Sequence, residues 1–145
     1  MWKNKSGFTL IELLVTVGVM AVIAAGVAAT IGPGPRRTAR DGQRKSDLER
    51  IRSELEIFRN TSLVMSYPIN LAALSMTGGV PADPSAGRTY SYIPGPAGCN
   101  ATTGNRCTTY VLCAALEKVT APVDPVCSGA SANCTATCTY GTRSP

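Results

Sequence analysis

One carboxylate stands in an otherwise apolar stretch near the N-terminus of this chain of 145 residues. Glu12 is the sole charged residue of the run Phe8–Ile31, which Gly7 directly precedes. A charge near the middle of a membrane-spanning helix costs about 2.5–3.5 kcal/mol, and ionisable residues at membrane depth usually have a partner and a function. No cation lies within the run, so a counter-charge must come from another chain, from lipid headgroups or from chemistry on this chain. Cleavage after Gly7 would create one, a new amine on Phe8.

Six cysteines form a second group of reactive residues, all in the last third of the chain. They are Cys99, Cys107, Cys113, Cys127, Cys134 and Cys138. An even number in a region rich in Thr, Ser, Gly and Asn is typical of disulfides in an oxidising compartment, although the sequence does not choose the pairs. The alternative is a zinc site. The successive spacings of 8, 6, 14, 7 and 4 match no common zinc pattern and the chain has no histidine, so disulfides are favoured.

The composition offers little support for catalysis. The absence of histidine removes the usual general base and most arrangements that activate a nucleophile. The chain has only nine carboxylates, and besides Glu12 most of them lie on one charged helical segment. We therefore expect a protein that is not an enzyme and has no catalytic residue, metal site or cofactor.

Two helices are predicted. The 24 residues of the apolar run would extend about 36 Å, against about 30 Å for the hydrocarbon core of a bilayer. A basic leader, residues 1–7, precedes this helix of residues 8–31, and Gly32–Pro35 predicts a kink after it, because proline interrupts helical hydrogen bonding. A second, amphipathic helix is predicted over 36–60. Its apolar stripe recurs at spacings of three and four, and consists of Leu48, Ile51, Leu55 and Phe58.

The rest of the chain predicts a small antiparallel sheet. Thr89–Ile93 and Thr108–Leu116 alternate and are rich in β-forming residues, which indicates a meander of two to four strands with Cys-rich loops within 80–145. The expected fold class is therefore α+β. A long apolar helix leads into one small domain, residues 36–145, that contains the amphipathic helix and the disulfide-tied sheet.

The segment Lys5–Val15, KSGFTLIELLV, closely resembles the start of type IV prepilins and of type II secretion pseudopilins. The resemblance implies that a prepilin peptidase cuts between Gly7 and Phe8 and methylates the Phe8 amine. It also implies that Glu12 neutralises the N-terminus of a neighbouring subunit during assembly. The implied partners are this peptidase, identical or related pilin subunits in a helical filament, and an inner-membrane assembly platform.

The body of the chain resembles the major pseudopilin more loosely. The similar features are the segment 40–48, Tyr67-Pro68, Gly79–Pro84 and the later Tyr90-Ser91-Tyr92. Major pseudopilins bind calcium through acidic residues near the C-terminus. Because this chain keeps only Asp124 in that region, a calcium site is not carried over.

The sequence gives conflicting indications of which end of the chain lies on the cytoplasmic side of the membrane. Five cations follow the apolar run, at Arg36, Arg37, Arg40, Arg44 and Lys45, against two before it, and the positive-inside rule would keep that flank in the cytoplasm. The resemblance and the cysteines favour the opposite arrangement, a single-pass protein with a cytoplasmic N-terminus and a domain outside the cytoplasm. An ordinary signal peptide with a cleavage site at Val27–Ala29 is the simpler alternative, but Glu12 would interrupt its hydrophobic region.

These observations predict a structural subunit of a type IV pilus-like or type II secretion pseudopilus filament. One alternative is a subunit of a DNA-uptake filament, which would use the basic segment 36–59 or Arg88 and Arg106. That segment could also contact anionic lipid headgroups, although a solvated helix face is the simpler interpretation. A further alternative is a membrane-anchored binding domain that does not polymerise.

Overall fold

The computed structural model describes residues 7–30, 32–118, 125–127, 134 and 137–145. It divides into two compact units, Met1–Arg36 and Arg37–Pro145. The first unit contains helix α1, Leu10–Thr30. Within α1, Leu10–Ala29 is long and apolar enough to cross a membrane, with a mean hydropathy of 2.4. The leader residues 1–6 lie outside the described residues.

Helix α2 extends over Pro33–Thr61, three residues earlier than the sequence predicts. The helical pattern is interrupted at Gly32, as the prediction of a kink or break there requires, and the two prolines belong to the first turn of α2. The reason is that N–H groups in a first turn have no partner within the helix, so the missing donors of Pro33 and Pro35 cost little there.

Three strands form one antiparallel sheet in the order β1-β2-β3, with bounds β1 Ser91–Gly95, β2 Thr109–Ala114 and β3 Tyr140–Arg143. Tyr92 pairs with Leu112, which in turn pairs with Thr142 of β3. The α+β prediction of an apolar helix, a second helix and a small meander is confirmed. Two short 3-10 helices, Leu71–Ala73 and Pro125–Cys127, lie outside the sheet.

The main core forms where the apolar stripe of α2 packs with the tyrosines of the sheet and of the preceding loop. Leu48, Ile51 and Leu55 are fully buried. They share one cluster with Tyr67 and Tyr110, whose rings meet edge to face with centroids 4.8 Å apart. This is the contact that the helical spacing predicts, because a stripe at intervals of three and four residues lies on one face of a helix.

Three disulfides tie the C-terminal region together, which confirms that prediction and supplies the pairing that the sequence left open. The bonds join Cys99 to Cys107, Cys113 to Cys127 and Cys134 to Cys138. Cys113, Cys127 and Cys138 are fully buried and form a second small core cluster. A small core stabilises a domain of this size only weakly, so the disulfides supply part of the stability of the folded state.

Thiol labelling tests this framework. Alkylation of the native protein without reductant should modify none of the six cysteines, because all are paired. Peptide mapping should recover the three bonds given above. In the double variant Cys113→Ala/Cys127→Ala, the loss of a buried bond that closes a loop with a sequence separation of 14 should lower the unfolding free energy by about 3 kcal/mol. Six reactive thiols in a folded chain would contradict both the framework and the assignment to an oxidising compartment.

Candidate functional site

The predicted cleavage bond lies just before α1, in a segment without helical structure. Gly7 and Phe8 are both exposed, and Phe8 retains 78% of its accessible surface. A side-chain carbon added at Gly7 would meet no atom within 4 Å. Packing among the described residues therefore does not require a glycine at this position.

Residues of the N-terminal segment Lys5–Val15 cap the start of α1. The Glu12 backbone N–H donates to the Thr9 hydroxyl oxygen at 3.3 Å, and the Leu13 N–H donates to the Thr9 carbonyl at 3.2 Å. Thr followed three residues later by Glu is the pattern of a helix capping box. The motif thus defines the first turn of the helix, and the Glu12 carboxylate lies close to the positive end of the helix dipole.

Glu12 has no cationic partner among the described residues. The ion pairs of the described part of the chain all lie beyond α1. Its side chain is exposed, as are the apolar side chains around it, such as Leu10 at 84% and Ile11 at 69%. The structure therefore shows a carboxylate and an apolar helix surface that no other described residue covers.

Small residues are distributed along α1 among the larger apolar ones. They are Gly18, Ala21, Ala24, Ala25, Gly26, Ala28 and Ala29. Added side-chain carbons at Gly18 and Gly26 would meet nothing within 4 Å. Small residues of this kind allow two helices to approach closely in an apolar environment.

A second polar site lies in the unit Arg37–Pro145, around the fully buried side chain of Arg44. Its guanidinium donates to Asp41 at 2.7 Å, to both oxygens of Asp83 at 2.8 and 2.9 Å, to Glu117 at 2.9 Å and to the Ser85 hydroxyl at 2.8 Å. These partners lie on α2, on the loop before β1 and on the segment after β2. One side chain thus joins three parts of the fold.

The carboxylates around Arg44 are held in their charged form. The Arg40 hydrogen bond, with a further one from Arg44, holds the pKa of Glu117 well below its usual range. Burial acts to raise the pKa of Asp83, but the hydrogen bonds from Arg44 and the Ser85 N–H outweigh it and lower that pKa. The pKa of Asp41 is lowered in the same way, because the N–H groups of Glu117 and Lys118 oppose the effect of burial.

The Arg44 cluster was not found by sequence reasoning. In the sequence, Arg40 and Arg44 belong to the basic group after the apolar run, and Asp83, directly before Pro84, has the local pattern of a turn residue. Asp83 does accept the Ser85 N–H at 2.8 Å, as a turn residue would, but it also pairs with Arg44, 39 positions away. Asp124, the one acidic residue left in the expected calcium region, lies outside the described residues.

Comparison with known proteins identifies the N-terminal segment. Residues 2–28 match the family model described as the prokaryotic N-terminal methylation motif. No curated protein matches the chain, and no solved structure matches it. The match and the fold together define a class, a protein with a prepilin-type N-terminus on an α+β body. The match supports a type IV pilin-like family, and its motif contains Gly7, Phe8 and Glu12.

Proposed function

We propose that this protein is a structural subunit of a type IV pilus-like or type II secretion pseudopilus filament. The observation that carries the proposal is the methylation motif at residues 2–28 at the head of an exposed apolar helix of 21 residues. In this proposal α1 holds the subunit in the membrane with the N-terminus in the cytoplasm. Later α1 is buried among the helices of other subunits in the filament.

Charge neutralisation at the N-terminus explains why Glu12 is kept in an apolar helix. Cleavage after Gly7 leaves a cationic amine on Phe8, and that amine must enter an apolar helix bundle during assembly. A buried charge without a partner is strongly destabilising. A Glu12 carboxylate from a neighbouring subunit supplies the partner, and the two charges then enter the bundle as a pair.

Processing at Gly7 tests the proposal directly. Mass spectrometry of protein from its native host should find an N-terminus at Phe8 with one added methyl group. Gly7→Arg should leave the leader attached, because the peptidase resemblance rests on a small residue at the cut. Since Gly7 has open space around it, this variant should fold normally and keep its three disulfides.

Ser6→Ala is the matched control, because it changes the neighbouring leader residue and leaves the small residue at the cut. Cleavage should proceed normally in this variant. A mature chain that starts at Met1, or at Thr30 as an ordinary signal peptide would give, would overturn the proposal.

The DNA-uptake alternative has weaker support from the described contacts. Arg88 donates to the Ala115 carbonyl at 3.0 Å, and Arg40 and Arg44 are engaged with carboxylates. Farther along α2, the cations alternate with Glu49, Glu54 and Glu56, so no continuous basic stripe is formed.

A further inference from the structure

The cations in the first half of α2 fall into two groups. Arg40 and Arg44 are neutralised by carboxylates of their own unit. Arg36, Arg37 and Lys45 are exposed, and no described carboxylate forms an ion pair with any of them. The positive charge that remains free in this region is therefore smaller than the sequence indicates and has a definite position.

Lys45, one of these free cations, borders a cavity of about 230 Å³ between α2 and the segment that follows β2. The residues that line it are Thr38, Asp41, Gly42, Lys45, Leu116 and Lys118. Two lysines, Lys45 and Lys118, are among these lining residues. At Gly42 an added side-chain carbon would meet no atom within 4 Å, so the α2 side is open to an incoming group.

The one acidic residue of the lining does not cancel these charges. Asp41 accepts from Arg44 and from the Glu117 N–H through one oxygen, and from the Lys118 N–H through the other. Asp41 is already paired with Arg44, and the lining has two lysines against this one carboxylate, so its formal charge is positive. The size and charge of the cavity fit a phosphate group.

The fold also positions the two lysines. The Lys45 ammonium lies 5.2 Å from the centroid of the Tyr140 ring, a cation–π contact. The Lys118 backbone is held by its hydrogen bond to Asp41 at 2.8 Å. Because these groups are already held in place, less conformational entropy is lost on binding than for solvated lysines on a mobile loop.

We propose that this cavity binds the phosphate of an anionic phospholipid headgroup while α1 holds the protein in the membrane. The proposal rests on the membrane anchoring described above. Thr38 follows the last residue of α1 by eight positions, so the chain length alone limits the distance of Thr38 from the end of α1 to about 29 Å. Anionic headgroups attract each juxtamembrane lysine or arginine appreciably.

A lipid fits these observations better than nucleic acid does. The cavity lining contains only two cations, Lys45 and Lys118, whereas a nucleic acid backbone requires a patch or stripe that neutralises successive phosphates. In the lipid-bound state, the unit Arg37–Pro145 would be held to the bilayer until assembly removes the subunit from the membrane. Headgroup release would then be one step of assembly.

The test uses the full chain in neutral detergent micelles, titrated with short-chain phosphatidylglycerol and followed by the NMR amide signals of Thr38, Gly42 and Lys118. These signals should shift with phosphatidylglycerol and not with short-chain phosphatidylcholine. Lys45→Gln/Lys118→Gln should weaken binding by about 30-fold, because each lysine contributes about 1 kcal/mol. Arg106→Gln/Arg143→Gln removes the same charge from exposed positions outside the cavity lining and should change the affinity by less than about twofold.

Each other result overturns the proposal. Equal weakening in the two double variants would show general charge attraction. Equal shifts with inorganic phosphate alone would show a site for free phosphate, and equal shifts with a short DNA duplex would favour the nucleic acid. Unchanged signals with phosphatidylglycerol would show that the cavity binds no headgroup. Because binding is measured without cleavage or assembly, its failure is distinguishable from failure of the filament proposal.

Discussion

Glu12→Ala should abolish filament formation while the protein remains in the membrane and is still cleaved. Insertion should be unchanged or slightly improved, because the change removes a charged group from hydrocarbon. Cleavage should persist, since Glu12 lies beyond the bond between Gly7 and Phe8. Burying the Phe8 amine without a partner costs about 3–5 kcal/mol, so subunit addition should weaken by at least about a hundredfold. The measurement compares the sheared filament fraction with the membrane pool.

Two further variants separate the charge of Glu12 from its place in the helix. Glu12→Gln keeps the size and the capping pattern with Thr9 but removes the charge, and should fail to assemble as Glu12→Ala does. Thr16→Ala removes a polar group one turn later, whose hydroxyl only donates to the Leu13 carbonyl, and should give normal filaments. Normal filaments from Glu12→Gln would rule out charge neutralisation. Absence of filaments from the unaltered protein would instead favour the anchored domain that does not polymerise, because such a domain needs neither Glu12 nor cleavage.

Arg44→Met should lower the unfolding free energy of the unit Arg37–Pro145 by about 3–5 kcal/mol. The change leaves Asp41, Asp83 and Glu117 close together and only slightly exposed, without their shared cation. Removal of one partner from a buried ion pair has this magnitude. Urea unfolding of the full chain in micelles, followed by the signal of the core tyrosines, measures the difference.

Arg52→Met is the matched control for this change. It removes the same charge from the same helix, but the Arg52 side chain is partly exposed, at 38%, and its ion pair with Glu49 is long, at 3.5 Å. Exposed pairs contribute at most about 1 kcal/mol. A loss in Arg44→Met no larger than in Arg52→Met would show that the cluster does not hold the fold together.

The pH dependence of stability gives a second measure of the cluster. In the folded protein the pKa values of Asp83 and Glu117 are lowered, so protons bind these groups more readily in the unfolded chain. The unfolding free energy should therefore be steady above about pH 5 and should fall as the pH drops below about 4, where the unfolded carboxyls take up protons. Arg44→Met should flatten this acid limb, because its carboxyls lose the cation that lowers their pKa values.

Local patterns in the sequence were sufficient to predict much of this protein. The apolar run, Gly7 and Glu12 predict α1 and its motif, because a membrane-spanning helix makes all of its backbone hydrogen bonds within one segment. The apolar stripe from Leu48 to Phe58 predicts the buried face of α2, because residues three and four positions apart lie on the same side of a helix. The Cys-rich region predicts disulfides from composition alone.

Tertiary structure decided the features that depend on residues far apart in the chain. The partner of Cys113 is Cys127 and not a nearer cysteine, because pairing follows the distance in space. Arg44 meets Glu117 across 73 positions, and nothing local to either residue indicates that contact. The basic segment after the apolar run appears uniform in sequence. Packing alone separates the neutralised Arg40 and Arg44 from Lys45, since the carboxylates that neutralise them come mostly from distant loops.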